Sequence, residues 1–329
     1  MEILYGYKGA KKRLKDPVLA IGIFDGVHIG HKRVIKRVIN AAGKKRNKVI
    51  VTFDPHPRTV LSPKMTPPRI MSLEHRLSIF EKMGIDTVLV LRFTEFIANM
   101  SPEDFVKRVL KNIGTKQIYI GSNFCFGRGR KGNSKKLVQV AREHGIAVSE
   151  VSPVKQRGKI VSSTWLRSLI SSGKIEMAEK LLRRPVSVLG TVVKGDQRGK
   201  EFGVPTANID PHQEVMPPPG VYAVMVLFEG NLFKGVLNVG FKPTFYGRRL
   251  KKRKEPHIEV NLLGYEGDLY GHDLEIFFIK KLRKEKKFRN TDALKMQIKK
   301  DISRAREILS RGNFVRKIRK YKPDQDRRS

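Results

Sequence analysis

Two histidines three residues apart form the most chemically suggestive pattern in the sequence. His28 and His31 follow an apolar run of strand length at residues 18–23. They precede residues 32–40, whose apolar side chains have helical spacing. Three residues are close to one helical turn, so both imidazoles can face the same point at a helix N-terminus. Free N–H groups and a partial positive charge favour a phosphate there. The spacing therefore predicts a phosphate-binding site.

The turn between the two segments favours the same interpretation. Gly26 and Gly30 let the backbone approach a ligand closely, and imidazoles can donate hydrogen bonds to phosphate oxygens. Two alternatives stay open from these residues alone. Asp25, His28 and His31 could bind a metal ion, or Asp25 could cap the helix while both histidines lie on the surface.

The longer pattern Phe24-Asp25-Gly26-x-His28-x-Gly30-His31 resembles the His-x-Gly-His motif of nucleotidyltransferases. In detail it resembles the bacterial bifunctional riboflavin kinase/FAD synthetase family, and the resemblance extends over about residues 18–310. It implies that an N-terminal, Rossmann-like domain adenylylates FMN to FAD with release of pyrophosphate. It also implies that a C-terminal domain phosphorylates riboflavin to FMN, and that both reactions use ATP and Mg²⁺.

The resemblance assigns site residues in the first domain. It implies catalytic roles for His28, His31 and Arg167, nucleotide contacts from Gly22, Phe24, Asp25, Gly30, Ser163 and Thr164, and flavin contacts from Asp54, Pro55, His56, Asn123 and Phe124. Two positions depart from the family, which usually has Asp at Asn123 and Arg at Cys125. These departures keep open an alternative function, a riboflavin kinase whose N-terminal domain has lost or changed its transfer activity.

The second domain carries the segment Pro205-Thr206-Ala207-Asn208, which resembles the riboflavin kinase signature. The resemblance implies that Thr206 and Asn208 bind Mg²⁺, and hydroxyl and amide oxygens are donors that Mg²⁺ accepts. Without the resemblance, this segment would be predicted as a turn. Glu259 has apolar neighbours on its predicted strand and so points to the opposite face. The resemblance makes Glu259 the general base for the riboflavin 5′-hydroxyl.

Further contacts of the second domain rest on the resemblance alone. It implies nucleotide contacts from Gly195, Arg198, Lys200 and Gly203, and flavin contacts from Arg283 and Phe288. The family has Arg at Lys200, Thr at Glu201 and His at Asn261, so three positions depart from it. We expect this second site to lie inside a β-barrel.

One glycine pattern points to a different cofactor by its letters only. Gly127-x-Gly129-x-x-Gly132 matches a dinucleotide-binding fingerprint, but the first glycine should follow its strand at once. Here other residues intervene after the predicted strand end at Gly121. A basic loop over phosphates explains these glycines better than an NAD site.

The order of predicted elements gives the fold class. Strands and helices alternate through residue 184, which predicts an α/β domain with a parallel sheet covered on both faces. From residue 185 onward β-rich runs follow one another, which predicts an antiparallel sandwich or small barrel. An apolar stripe from Leu294 to Leu309 predicts a closing C-terminal helix, and residues 313–329 are expected to be frayed. The predicted domains are therefore residues 1–184 and 185–329.

Composition bounds the partners of the 329-residue chain. Its 68 Lys and Arg outnumber 31 Asp and Glu, giving a formal net charge of +37. These cations are spread along the chain without interleaved aromatic residues, which favours a solvated basic surface over a nucleic-acid groove. Nucleic-acid binding stays open as a rival function. No apolar run approaches the roughly 18 residues of a membrane span, and the one cysteine suits a reducing cytosol. We expect a cytoplasmic monomer without membrane or specific nucleic-acid partners.

Overall fold

The computed structural model describes residues 1–194, 205–244 and 253–319. The predicted nucleotide contacts Gly195, Arg198, Lys200 and Gly203 lie outside these ranges. The chain forms two compact units. Among the described residues, the first contains residues 1–67 and 73–163, and the second contains residues 68–72 and those from residue 164 to 319. The predicted boundary between residues 184 and 185 stays a prediction.

A six-stranded parallel sheet forms the centre of the first unit. In chain order the strands are β1 (Glu2–Tyr5), β2 (Val18–Ile21), β3 (Lys48–Asp54), β4 (Thr87–Arg92), β5 (Gln117–Gly121) and β6 (Ala147–Val151), and they lie side by side in the order β1-β4-β3-β2-β5-β6. All four residues of β2 are buried, as a central parallel strand requires. The predicted parallel α/β sheet is confirmed, whereas β1 was not predicted.

Helices connect these strands. They are α1 (Ala10–Arg13), α2 (Ile29–Ala42), α3 (Pro57–Leu61), α4 (Leu73–Lys82), α5 (Glu95–Ala98), α6 (Pro102–Asp104), α7 (Lys111–Ile113) and α8 (Ser134–Arg142), with a π-helical segment at Phe105–Leu110 and 3₁₀ turns at Pro63–Met65 and Arg128–Arg130. Two short strands, β7 (Lys155–Gln156) and β8 (Lys159–Ile160), pair with each other. The chain then enters α9 (Ser163–Ser171) and α10 (Ile175–Leu182).

A closed antiparallel barrel forms the centre of the second unit. Its strands are β9 (Ser187–Val193), β10 (Ala207–Pro211), β11 (Gly220–Phe228), β12 (Asn231–Thr244), β13 (Arg253–Leu262) and β14 (Asp273–Arg283), closed in the order β10-β13-β12-β11-β14-β9. The barrel alternative of the prediction is thus confirmed. Glu229 and Gly230 join β11 to β12 with φ angles of 44° and 79°, which suit a tight hairpin turn.

One face of the barrel wall is covered by the helix α11 (Thr291–Arg311). Buried Ala305 and Leu309 of α11 pack in one cluster with Val221 and Ala223 of β11. The following helix α12 (Phe314–Arg319) adds Ile318, whose exposed fraction is 2%. The prediction that residues beyond 313 are frayed is therefore wrong for α12. A single apolar side chain per turn is enough to dock it against this cluster.

Candidate active sites

Three of the predicted sequence blocks follow three neighbouring strands of the parallel sheet. His28 follows β2, Asp54 ends β3, and Asn123 follows β5, while β2 lies between β3 and β5. The chain leaves β2 to one side for β3 and returns on the other side at β5. Ligands of such sheets bind beyond the carboxyl ends of the strands at this kind of reversal. The topology therefore brings the blocks to one edge of the sheet.

The two histidines form a stacked pair at the start of α2. Their ring centroids are 3.7 Å apart and their planes differ by 19°. His28 is the N-cap residue of α2, and its Nδ1 accepts a hydrogen bond from the His31 backbone N–H at 3.3 Å. This bond requires an unprotonated Nδ1 and leaves Nε2 as the N–H of the neutral ring. The helix-capping alternative is wrong on two counts. His28 rather than Asp25 caps the helix, and His28 is buried rather than on the surface.

Two predicted nucleotide contacts, Gly22 and Gly30, have a packing reason in the structure. A Cβ atom on Gly22 would lie 3.2 Å from the Phe24 ring, and a Cβ on Gly30 would lie 3.1 Å from the His28 ring. Phe24 is buried and meets His31 edge to face at 5.3 Å between centroids. The backbone is strained here, since Phe24 and Val27 have φ angles of 56° and 40°. These residues hold the imidazole pair in place.

Arg76 of α4 is a site residue that the sequence analysis missed. Its buried guanidinium donates to the Ile23 carbonyl and, at 3.1 Å, to Thr52 Oγ1. It thereby ties the turn after β2 to β3. The available signal was its position, since Arg76 lies on the same helical face as the buried residues Leu73 and Leu77. A cation within an apolar stripe calls for a buried partner.

The environment of His31 keeps its ring uncharged. Desolvation lowers the pKa of His31 well below the ordinary value of 6.5, and electrostatic interactions with His28 and Arg76 lower this pKa further. Its buried Nδ1 has no hydrogen-bond partner within the described part of the chain. An uncharged imidazole can stabilise a phosphate oxygen only by donating a hydrogen bond. The ring nitrogen that carries the proton therefore decides whether His31 can make this bond.

The block after β3 forms a turn that leads into α3. The Asp54–Pro55 peptide bond is cis, and His56 caps α3 by accepting a hydrogen bond from the Arg58 N–H at 3.1 Å. Pro55 is exposed, whereas Asp54 and His56 are half-buried. Since β3 adjoins β2, this turn lies at the sheet edge that carries the histidines.

The block after β5 exposes the departures from the family pattern. Asn123 and Cys125 are both exposed, and Cys125 is a free thiol. Phe124 is half-buried and stacks on Phe126 with a centroid distance of 5.5 Å. Phe126 pairs with Gly132 in a two-residue bridge, so the glycine-rich segment folds back as a hairpin loop. This conformation differs from the strand-to-helix turn of a dinucleotide site.

The block at residues 161–167 meets the histidine turn through Ser163. The Ser163 hydroxyl donates to the Asp25 carbonyl at 2.9 Å, and the Val161 carbonyl lies 3.7 Å from where a Gly30 Cβ would be. The next predicted contact, Thr164, is exposed. In the second unit, Arg167 donates from Nε to the Pro68 carbonyl at 2.8 Å.

The second predicted site forms a row across the barrel. Asn208 of β10 lies directly opposite Glu259 of β13, which lies opposite Asn238 of β12. The row continues through Val221 of β11 to Arg283 of β14. Directly opposite residues of neighbouring antiparallel strands share a face, with Cβ atoms about 5 Å apart. The row thus joins a predicted Mg²⁺ ligand, the predicted base and a predicted flavin contact.

This row lies on the outer face of the barrel. Val221 belongs to the row and also packs beside α11, which covers the outside of the wall. Ile258 and Val260, the neighbours of Glu259, are buried on the opposite face and fill the interior. The expectation that this site lies inside the barrel is therefore wrong. Sequence alternation separates the two faces but does not say which one a closing sheet turns inward.

The two predicted flavin contacts of the second domain lie together. The Arg283 guanidinium is 5.6 Å from the centroid of the Phe288 ring. The same guanidinium forms an ion pair with buried Asp301 of α11, at 2.9 Å from Nη2 to Oδ2. Gln297 donates to the other Asp301 oxygen at 3.0 Å. Arg283 is therefore oriented by α11 before any ligand binds.

A divalent cation fits the second site only with help from a substrate. Asn208 offers an amide oxygen beside the Glu259 carboxylate, and half-buried Thr206 precedes the same strand. Mg²⁺ usually keeps several waters and takes few protein ligands beside substrate phosphates, which suits these donors. Within residues 1–194, 205–244 and 253–319, no three His, Cys, Asp or Glu side chains are grouped to hold a metal ion. The metal-binding alternative for Asp25, His28 and His31 thus finds no support.

The fold and the two sites define a class of protein. A nucleotidyltransferase-like parallel sheet is followed by a closed barrel of the riboflavin kinase fold and a C-terminal helix. The FAD synthetase family profile matches residues 10–165, and the riboflavin kinase family profile matches residues 182–309. The chain belongs to the bifunctional riboflavin kinase/FMN adenylyltransferase family.

Relatives of that name align over nearly the whole chain. The protein of Buchnera aphidicola subsp. Schizaphis graminum is 35% identical over 307 residues, which are 92% of this chain and 97% of that protein. The Bacillus subtilis protein is 34% identical over 303 residues, with 91% and 95% covered. The Escherichia coli K12 protein is 35% identical over 296 residues, with 89% and 92% covered.

A solved structure shares the fold of most of the chain. The crystal structure described as a macrolide-efflux protein from Streptococcus pneumoniae superposes with a TM-score of 0.77 at 27% identity. The likeness covers 93% of this chain and 99% of that one. In the described part of the present chain, no helix combines the length and apolar character needed to cross a bilayer.

Proposed function

We propose that this chain makes FAD from riboflavin in two ATP-dependent steps. The second unit phosphorylates riboflavin to FMN, and the first unit adenylylates FMN to FAD. The observation that carries this proposal is the end-to-end relationship to proteins named for both activities, at 34–35% identity. The geometry supports it at both sites. His28, Asp54 and Asn123 follow neighbouring strands at one edge of the sheet, and Asn208, Glu259 and Arg283 lie in one row of the barrel.

In the adenylylation step, an FMN phosphate oxygen attacks the α-phosphorus of ATP and the bond to pyrophosphate breaks. Negative charge grows on the equatorial and leaving oxygens, so catalysis is mainly positioning and electrostatics. We assign hydrogen-bond donation to His28 and His31 at the N-terminus of α2, and binding of the triphosphate to Ser163, Thr164 and Arg167. We assign flavin binding to the blocks at Asp54–His56 and Asn123–Phe124.

In the kinase step, Glu259 takes the proton of the riboflavin 5′-hydroxyl while that oxygen attacks the γ-phosphorus of ATP, and ADP leaves. A general base must lie within hydrogen-bond reach of the proton it accepts. We assign flavin binding to Arg283, which lies in the same row as Glu259, and to Phe288, which contacts Arg283. Gly195, Arg198, Lys200 and Gly203 remain proposed ATP contacts.

We propose Mg²⁺ as the cation of both reactions. When bound with ATP, it neutralises phosphate charge during transfer. Thr206 and Asn208 would hold it in the second unit through hydroxyl and amide oxygens. The position of Asn208 supports this assignment, because its cross-strand neighbour is the proposed base.

The test supplies riboflavin, ATP and Mg²⁺ and follows FMN and FAD separately by chromatography. We expect the wild-type chain to form both. His31→Ala should block FAD alone, and Glu259→Ala should block FMN formation while FAD still forms from supplied FMN. The alternative of a kinase with a degenerate first unit predicts FMN without FAD in the wild type. Asn123 and Cys125 are both exposed, so neither departure disturbs the buried core of the first unit.

We also propose a cytoplasmic monomer with domains at residues 1–184 and 185–329. One exposed free cysteine suits a reducing compartment. The charge of +37 then serves to attract anionic nucleotides and flavin phosphates rather than nucleic acid. A salt titration of RNA and DNA binding tests this. Tight binding near physiological salt without flavin turnover would overturn it.

A further inference from the structure

We propose that His257 is a positioning residue for the kinase reaction, and that its imidazole holds the Glu259 carboxylate in the orientation needed to accept a proton. The inference rests on the proposed role of Glu259 as general base. Neither the histidine pattern nor the family resemblance pointed to His257, and the contact between these two side chains is what carries the inference.

The contact is a direct hydrogen bond on one strand. His257 Nε2 lies 2.9 Å from Glu259 Oε1. Residues two apart on β13 point to the same face, so both side chains stand on the outer wall. Both are partly shielded, with side-chain exposed fractions of 24% and 33%. A hydrogen bond to a carboxylate is stronger than one between neutral groups, and partial burial favours it further.

The neighbouring strand leaves space for this imidazole. Gly240 of β12 lies directly opposite His257 and brings no side chain of its own beside the ring. A Cβ atom at Gly240 would come 2.6 Å from Glu285 Oε1, which places a second carboxylate over the same spot. His257 thus faces Gly240 on β12, with the Glu285 carboxylate over that glycine, and Glu259 on its own strand.

The residue on the other side of Glu259 has a different task. Asn261, whose exposed fraction is 8%, donates from Nδ2 to the Pro205 carbonyl at 2.7 Å. It therefore holds the segment that leads into Thr206 and Asn208. The family that the sequence resembles has a histidine at Asn261, where this chain has an amide. In this chain an imidazole stands two residues before the base, and the residue two after it fixes the proposed Mg²⁺ segment.

The chemical consequence concerns geometry. A donor bound to Oε1 restricts rotation of the carboxylate and fixes where its oxygens point. A general base displaced by a fraction of an ångström transfers protons poorly although its substrates still bind. Loss of His257 should therefore lower kcat and leave the KM values nearly unchanged.

The experiment measures steady-state riboflavin phosphorylation by the full chain with MgATP. We expect His257→Ala to lower kcat about 10-fold with unchanged KM for ATP and riboflavin. His257→Gln should recover most of kcat, because its amide N–H can donate to the same carboxylate. His212→Ala is the matched control, since His212 is bonded instead to Thr191 at 2.7 Å in the same barrel. FAD formation from supplied FMN should stay unchanged in all three variants.

Three outcomes would overturn the inference. They are an unchanged kcat in His257→Ala, equal losses in the Ala and Gln variants, or a parallel loss of melting temperature and kcat. Glu259→Gln separates this inference from the proposed function. If Glu259→Gln keeps kinase activity, the assignment of the base is wrong. If Glu259→Gln is inactive while His257→Ala is fully active, only the role of His257 is wrong.

Discussion

At the scale of single residues, the first site depends on an imidazole that stays neutral. His31 packs against the rings of Phe24 and His28, and Arg76 lies close enough to lower the pKa of His31. Two aromatic contacts and a buried cation fix the ring before a nucleotide arrives. Such fixed groups cost little rearrangement when charge develops on a phosphate.

This environment makes stability depend on pH. In the unfolded chain the imidazole titrates near its ordinary pKa of about 6.5. In the folded chain the pKa of His31 is well below that value, so between the two the unfolded chain binds a proton that the folded chain does not. The contribution of His31 is therefore complete above pH 6.5 or so and is lost as pH falls, by up to about 1.4 kcal/mol per pH unit.

Calorimetry of the full chain at successive pH values below neutrality checks this prediction. We expect the melting temperature to fall with pH, and we expect His31→Gln to reduce that fall. His272→Gln is the matched control, because His272 is an exposed histidine. Equal slopes for the wild type and His31→Gln would show that another group causes the acid sensitivity.

The sequence predicted some of these residues and missed others for a physical reason. His28 and His31 could be found because their spacing along one helix turn is local. Arg76 and His257 were missed because each acts through a partner. Arg76 meets Ile23 and Thr52 from another element, and the importance of His257 is evident only beside Glu259.

At the scale of elements, the barrel closes through a very close approach of two strands. A Cβ atom on Gly190 of β9 would lie 2.5 Å from Ile209 Cγ2 and 2.6 Å from the Asp210 carbonyl oxygen of β10. Since β10 also carries Asn208, this contact couples barrel closure to the kinase row.

Gly190→Ala should therefore separate β9 from β10. We expect a loss of about 1–3 kcal/mol in the free energy of unfolding, typical of overpacking, measured by urea denaturation. FMN formation should fall, while FAD formation from supplied FMN should persist. For stability, Gly121→Ala is the comparison, because a Cβ there meets nothing within 4 Å. An unchanged unfolding midpoint for Gly190→Ala would contradict the close approach.

The elements themselves were predictable in kind more than in length. A continuous apolar run gave β3, which is buried on both faces, and apolar periodicity gave α4 and α11, which each bury one face. It gave only the apolar part of β14, which continues through charged Lys280, Lys281 and Arg283 because β11 supplies hydrogen-bond partners beyond the apolar part. Strand pairing across the barrel joins residues that are far apart in the sequence. A charged segment considered without its partner strand is therefore predicted as a loop.

At the scale of the whole molecule, the division between the two compact units falls near α9 and α10 in the sequence. The structural units divide after Ser163, whereas the riboflavin kinase profile begins at residue 182. The helix α10 buries Ala178, Leu181 and Leu182, and its Glu179 pairs with Lys317 of α12. This segment therefore adds stability to the second unit without carrying its chemistry.

Two fragments test this division. We expect residues 185–329 to form FMN from riboflavin and no FAD. Residues 164–329 should do the same with a higher melting temperature, since they keep α10 and the Glu179–Lys317 pair. Equal melting temperatures would show that α10 is dispensable to the second unit. Failure of both fragments to fold would contradict independent domains.

The outward position of the kinase row has a consequence for turnover. The centre of the barrel is filled with hydrocarbon, so it offers no chamber for a flavin or a nucleotide. Reactants can reach Glu259 without any strand parting from its neighbour. Substrates and products therefore exchange while the hydrogen bonds between the strands stay intact. The rate of this exchange depends on the groups that cover the outer wall.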